Sequence, residues 1–236
     1  RVAGMIIFNG VDLTETMPVK IEDIDVSPIQ LEPVARTRPI QFGSEFVRMS
    51  GGTRKVAVTF ALLEISLSER ERLLQTLRDW ANIGAEYTLE LPHFENRHLE
   101  CAVTMLPDAS YRKWWENKLR LVFTTFDNPY WTSNDEIKAK TNQQFTISGT
   151  APPLMRIERK LTSKAANQTY AANGQSMFFS QIPAGTLKID LNKQTAEVSG
   201  TSIMQYFGKT SHFILPVTGN MTMTGTGTII YRERWV

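Results

Sequence analysis

Apolar residues recur at every second position through much of this chain, and that alternation restricts it to β-strands, because successive side chains of a strand point to opposite faces. Val56, Val58, Phe60 and Leu62 alternate with Ala57, Thr59 and Ala61. Leu99, Cys101, Val103 and Met105 alternate with Glu100, Ala102 and Thr104, and Tyr87, Leu89 and Leu91 with Thr88 and Glu90. Each run reads as a half-buried strand. Val19 and Ile21 keep one phase while Ile24 and Val26 keep the other. An extra residue at Glu22-Asp23 would cause that switch, so a β-bulge is expected there. Leu119 to Phe126 is apolar on both faces, with Leu119, Leu121 and Phe123 on one and Val122 and Phe126 on the other. It reads as a central strand.

One segment changes period. Leu73, Leu74, Leu77, Trp80 and Ala81 follow helical spacing, and Ser66-Leu67-Ser68-Glu69 ahead of them has the form of a capping box. Asn82 to Gly84 supplies the stop. The apolar stripe should lie on a sheet.

The second half begins after Asp127-Asn128-Pro129-Tyr130-Trp131 with a polar stretch, Thr132 to Gln144, that reads as a linker. Pro152-Pro153 then introduces short strands. Leu187, Ile189 and Leu191 alternate, Phe213 and Leu215 alternate, and Gly219-Asn220 reads as a turn between Val217 and Met221. The division expected is residues 5–131, a linker at 132–144, and a small β-sandwich or barrel at 145–236 without a helix. Met5 with Ile6 to Asn9 reads as a start, which sets Arg1 to Gly4 outside the fold.

With 236 residues the chain buries roughly 70% or more of the surface its unfolded form exposes, so it needs no covalent staple. Cys101 is the single cysteine and the histidines are His93, His98 and His212, so neither an intrachain disulfide nor a zinc set is expected. The 26 basic and 24 acidic side chains nearly balance, which gives no global attraction to nucleic acid or membrane. No apolar run approaches a membrane span, and Arg1 to Gly10 has neither the basic start nor the apolar core of a secretory signal. Folding in the cytosol is expected.

Candidate chemistry is sparse. The sequence contains no GxSxG, HExxH or GxxxxGK[ST] pattern and no Cys/His metal spacing. Glu22, Asp23 and Asp25 could form a carboxylate pair for glycoside hydrolysis, but charges interleaved along a strand are ordinarily its solvated face. His93 and His98 flank four residues and could hold a metal; a polar hairpin tip is the commoner outcome of such a stretch. Gly225-Thr226-Gly227 lacks the strand-to-helix context of a nucleotide loop and reads as a strand bend. Tyr111, Arg112, Lys113, Trp114 and Trp115 fit either a stacking platform or packing under a loop. No catalytic residue, cofactor or metal ligand is assigned.

The most unusual segment is Arg36 to Lys55. Arg36, Arg38, Arg48, Arg54 and Lys55 stand against Glu45 alone, with Pro39, Gly43, Gly51 and Gly52 for turns. It is too long for an ordinary hairpin turn and runs straight into the Val56 strand. It is either an exposed basic loop or an arm that reaches a neighbouring subunit. Asp12, Glu15, Glu22, Asp23 and Asp25 against Lys20 make the preceding stretch acidic. A head-to-tail ring joins two different patches of the same chain, and these two would suit one. The expected interface residues are Arg36, Arg38, Ile40, Phe42, Phe46, Arg48, Arg54 and Lys55 on the arm, facing Glu22, Asp23 and Asp25, with Val47 and Met49 adding apolar contact.

The order of these features resembles the distal tail protein family of long, non-contractile-tailed bacteriophages. The residues that carry it are Met5-Ile6-Ile7-Phe8-Asn9-Gly10, the arm, the Lys55 to Leu62 strand leading to the Ser68 to Asn82 helix, and Phe126 to Trp131 at the junction. Phe213 to Asn220 followed by Ile230 to Trp235 resembles the family's closing signature. The resemblance implies a mainly β protein of two domains. The first is a ring-forming, β-sandwich-like domain with one helix and a long hairpin arm, and the second is a galectin-like β-sandwich. It further implies a hexameric ring at the virion tail tip, made in the bacterial cytoplasm, that connects the tail tube to the adsorption apparatus. The arm would belt the adjacent subunit. Implied partners are further copies of the chain, the tail tube protein, the tape measure protein, and a tail-associated lysin or fibre protein, with no membrane and no sequence-specific nucleic acid. A carbohydrate-binding adhesion module and a cell-wall hydrolase are the competing classes. Only His212 and Trp235 in the second half are of the types galectin-like sugar sites favour.

Overall fold

In the computed structural model, residues 5–16, 18–37, 44–63, 66–81, 85–105 and 118–236 are described. The chain is mainly β, its strands pair antiparallel, and it divides into two compact units, Arg1–Trp131 and Thr132–Val236.

The first unit opens with β1 (Ile7–Phe8), β2 (Val11–Asp12) and a four-residue turn of helix, α1 (Leu13–Thr16). β3 (Val19–Val26), β4 (Gln30–Thr37), β5 (Ser44–Thr53) and β6 (Lys55–Leu62) follow. The helix α2 (Leu67–Ala81) precedes β7 (Tyr87–Glu90), β8 (Arg97–Met105) and β9 (Lys118–Thr124). β3 pairs with β6, β6 with β9 and β9 with β8, so β6 and β9 are interior strands. Val56, Val58, Phe60, Leu121 and Phe123 are all buried, as their alternation requires. Phe8 packs on Phe123 with ring centroids 5.2 Å apart. β9 is the central strand the apolar run foretells, with Val122 buried on its second face. Phe126 falls beyond its end and is half exposed, a correction to its place in that run.

The capping box forms at the start of α2. The Ser66 N–H and hydroxyl both donate to the Glu69 carboxylate, at 2.8 and 2.6 Å, and the Glu69 N–H donates to Ser66 Oγ at 3.4 Å. These bonds hold the Glu69 carboxyl below its ordinary pKa, the hydroxyl contributing most. Leu73 and Leu74 are buried, and the helix lies against β8. The stop at 82–84 lies outside the described residues.

β10 (Trp131–Ser133) spans the boundary in the chain. The second unit comprises β11 (Ile137–Lys140), β12 (Gln144–Ile147), β13 (Ala151–Leu161), β14 (Ala165–Ala172), β15 (Gln175–Ile182) and β16 (Gly185–Asp190). It ends with β17 (Thr195–Val198), β18 (Thr201–Ser202), β19 (Gly219–Thr222) and β20 (Thr228–Trp235). Its one helical piece is a 3-10 turn at Met204–Tyr206. One sheet runs β18-β17-β16-β13-β20-β11, and the pairs β14–β15 and β12–β19 bury residues with it in a single core. Ile157, Leu187, Ile189 and Ile229 come from the sheet, while Tyr170, Met177, Phe179 and Met221 come from the two pairs.

Two expectations for this unit are corrected. Thr132 to Gln144 does not run free of structure, because Ile137–Lys140 pairs with β20 from Ile137↔Tyr231 to Lys140↔Thr228. Its polar side chains suit an edge strand with a solvated outer face. Gly219-Asn220 is no turn either. Both residues lie in β19, opposite Ile147 and Thr146, with Gly219 at φ +86° where the irregular stretch enters the strand. Gly225 and Gly227 do form the expected bend, at φ +134° and +152°. The ring of Tyr170 lies so close under Gly225 that a β-carbon there would collide with it. Pro152-Pro153 sits inside β13, in a bulge where the register moves from Ala151↔Arg234 to Leu154↔Arg232. A bulge is where a strand tolerates residues without N–H groups. Asn192 compensates, accepting from the Met155 N–H at 2.7 Å and donating to the Pro153 carbonyl at 3.0 Å.

Candidate subunit interface

The arm is a two-stranded antiparallel ribbon. β4 and β5 pair from Gln30↔Thr53 to Thr37↔Ser44, with register shifts between Gln30 and Glu32 and between Val34 and Ala35. Among the described residues no further strand pairs with it. Arg36 lies on β4 opposite Glu45, Phe46 on β5 opposite Ala35, Arg48 opposite Val34, and Met49 opposite Pro33. Arg38, Ile40 and Phe42 lie outside the described residues, as do Tyr111, Arg112, Lys113, Trp114 and Trp115.

Of the acidic stretch, Glu22, Asp23 and Asp25 stand on β3, which among the described strands pairs on one side only, with β6. The bulge is present. Ile21 pairs with Phe60 and Asp23 with Thr59, leaving Glu22 as the extra residue. Ile21 is therefore buried, whereas Asp23 and Asp25, opposite Thr59 and Ala57, are exposed. Glu22 is engaged within the chain, its carboxylate 2.9 Å from Lys118 Nζ on β9. Both groups are about half exposed, so the pair contributes about 0.2–1 kcal/mol. The sequence gives no sign of this partner, because Lys118 is reached only by crossing β6.

Arg54 departs most from the expectation of a basic, exposed arm. It lies in the single-residue gap between β5 and β6 and is 4% exposed. Its backbone is clamped to the sheet: the N–H donates to Thr125 Oγ1 at 2.9 Å and the carbonyl accepts from the Thr125 N–H at 3.0 Å. Nε and Nη1 have no hydrogen-bond partner. Burial lowers the guanidinium pKa, and the nearby Tyr130 phenol opposes that shift. Lys55, the next residue, is exposed, and its N–H donates to Ser27 Oγ at 2.8 Å.

His93 lies in the turn between β7 and β8, and His98 is buried at the start of β8. No group of three or more His, Cys, Asp or Glu among the described residues could hold a metal ion. Cys101 is buried, which raises its thiol pKa well above the ordinary value, helped by the Glu86 carboxylate. His212 lies in the irregular segment before β19, and Trp235 at the end of β20. No helix among the described residues is long and apolar enough to cross a membrane.

No family model matches this sequence, and no curated protein does. Among solved structures the chain has the fold of a phage distal tail protein. The SPP1 Dit protein, described as a paradigm of the hub adsorption apparatus in phages infecting Gram-positive bacteria, matches with a TM-score of 0.73 and 15% identity over 100% of both chains. Chains of the phage p2 baseplate in its activated conformation also match. The strontium form gives a TM-score of 0.49 at 11% identity over 99% of this chain and 98% of that one, and the calcium form 0.47 at 10% over 100% and 99%.

Proposed function

We propose that this chain is a structural connector of a phage tail tip, a hexameric ring that joins the tail tube to the adsorption apparatus. The observation that carries the reading is the match to SPP1 Dit across the full length of both chains. The order of sequence features, arm included, supports the same family. In this reading residues 5–131 form the ring and 132–236 the second domain. The tail tube, the tape measure and a lysin or fibre protein are its neighbours.

The arm is the assembly element. A two-stranded ribbon alone is marginal in water, and β4–β5 pairs with no other described strand. The basic arm, with Arg36, Arg38 and Arg48, lies across the open, acidic β3 of the next copy at Asp23 and Asp25. The charges set register and rate of assembly, while Ile40, Phe42 and Phe46 supply the apolar hold. The test is oligomer mass by light scattering, with the chain alone and with purified tail tube protein. Particles of about six copies are expected. Changing Arg36, Arg38 and Arg48 together to Glu should reduce them at low ionic strength, with recovery in high salt as repulsion is screened. A chain that stays monomeric in both settings overturns the ring, and assembly indifferent to the triple change overturns the role of the charges.

A further inference from the structure

We propose that Arg54 is the receiving half of an intersubunit ion pair, and that a carboxylate of a second copy of this chain completes it when the ring closes. The inference rests on the ring reading above and names a contact within it.

Charged side chains taken out of water are ordinarily paired, because an uncompensated buried ion is among the costliest features a fold can carry. Arg54 violates that rule: at 4% exposure it leaves Nε and Nη1 without acceptors. It cannot escape by a small backbone shift, since both of its backbone groups are bonded to Thr125, which directly follows the neighbouring strand β9. Guanidinium groups do not solve the problem by losing their proton either.

The position of Arg54 says when the cost is relieved. It follows directly on Thr53, whose partner Gln30 closes the root of the arm. Seating the arm on another subunit therefore acts on the surroundings of this side chain, which adjoins the arm's root. A polypeptide offers one anionic group to such a site, a carboxylate, and an arginine binds carboxylates through several N–H donors at once. Within the chain, Glu22 already pairs with Lys118, and Glu136 with Arg156. At the root of its assembly arm the free chain thus leaves two guanidinium nitrogens, Nε and Nη1, without acceptors, and association supplies them.

This arrangement has an uncommon signature, in which one substitution moves stability and assembly in opposite directions. Arg54→Met keeps the aliphatic bulk and removes the charge. In the full-length chain, at concentrations where it is monomeric, its melting temperature should rise by roughly 3 °C or more. In sedimentation velocity at assembling concentrations, its association should weaken about tenfold or more. Arg54→Lys retains the charge and should keep the low melting temperature with partial assembly. A lower melting temperature for Arg54→Met would mean that the guanidinium is already satisfied within the chain, and would overturn the proposal. So would a higher melting temperature with assembly intact, which leaves the ring reading standing. Melts of the wild-type monomer with added sodium acetate or sulfate separate the sources: an Arg54-dependent rise with the free anion, together with unimpaired assembly of Arg54→Met, would make the site an anion receptor and overturn the subunit as its partner.

Discussion

Two antiparallel ribbons in this chain have similar lengths and opposite circumstances. β14–β15 holds one unbroken register from Ala165↔Ile182 to Ala172↔Gln175, across an Asn173-Gly174 turn with φ +52° and +72°. That is the two-residue turn whose twist matches paired strands. Its inward residues Tyr170, Ala172, Met177, Phe179 and Ile182 are buried in the core of the second unit. β4–β5 changes register twice, and no other described strand continues it. Local hydrogen bonding is the same in kind; what differs is that β14–β15 shares a core with the sheet of the second unit, while the register of β4–β5 shifts twice. Because a two-stranded ribbon alone is marginal in water, β14–β15 owes its order to the core it joins, and the proposed ring would give β4–β5 a partner in a neighbouring copy.

The comparison breaks most visibly at its aromatic residues. Phe179→Ala should destabilise the second unit by about 3–5 kcal/mol, because a fully buried ring is replaced by a cavity. Phe46→Ala, the corresponding loss on the arm, should leave the melting curve of the monomer nearly unchanged while lowering oligomer mass. Paired calorimetry and light scattering read both effects. A large loss of monomer stability from Phe46→Ala would show that the arm is an ordinary part of the fold.

A smaller effect is expected at Asn192, whose side chain serves both backbone groups beside the Pro152-Pro153 bulge. Asn192→Ala should cost about 1–3 kcal/mol, measured by urea unfolding, because a partly buried N–H and carbonyl lose their partners. The substitution should leave assembly untouched, which sharpens the separation between residues that hold a layer together and residues that join copies.

The smallest effect concerns Glu136, which receives Arg156 Nη1 and Nη2 at 2.9 and 3.0 Å and has Arg232 at 3.4 Å. The hydrogen bond from Arg156 holds this carboxyl below its ordinary value of 4.5. Its stabilising contribution is therefore present above that value and is lost as pH falls through the lower, folded one. Glu136→Gln should cost about 0.5–1 kcal/mol at pH 7, since the groups are partly exposed, and the difference from wild type should shrink below pH 4.5. Melting temperatures across pH 3 to 7 would show it.

Features written in neighbouring residues were legible in the sequence. The phase switch between Ile21 and Ile24 located the bulge at Glu22, the spacing of Ser66 and Glu69 located the helix start, and the double-faced apolar run located the interior strand β9. Each depends on atoms a few positions apart, and side-chain periodicity carries that information directly. What depends on residues far apart in the chain came only with the tertiary structure. Nothing local marks Ile137–Lys140 as a strand until β20 is beside it, or Gly219-Asn220 as one until β12 is. Lys118 becomes the partner of Glu22 only across β6, and Arg54 looked like one more exposed basic residue until Thr125 and the sheet closed around it. Burial and pairing belong to the packed arrangement, because the field and solvent at a side chain are set by whatever the fold brings next to it.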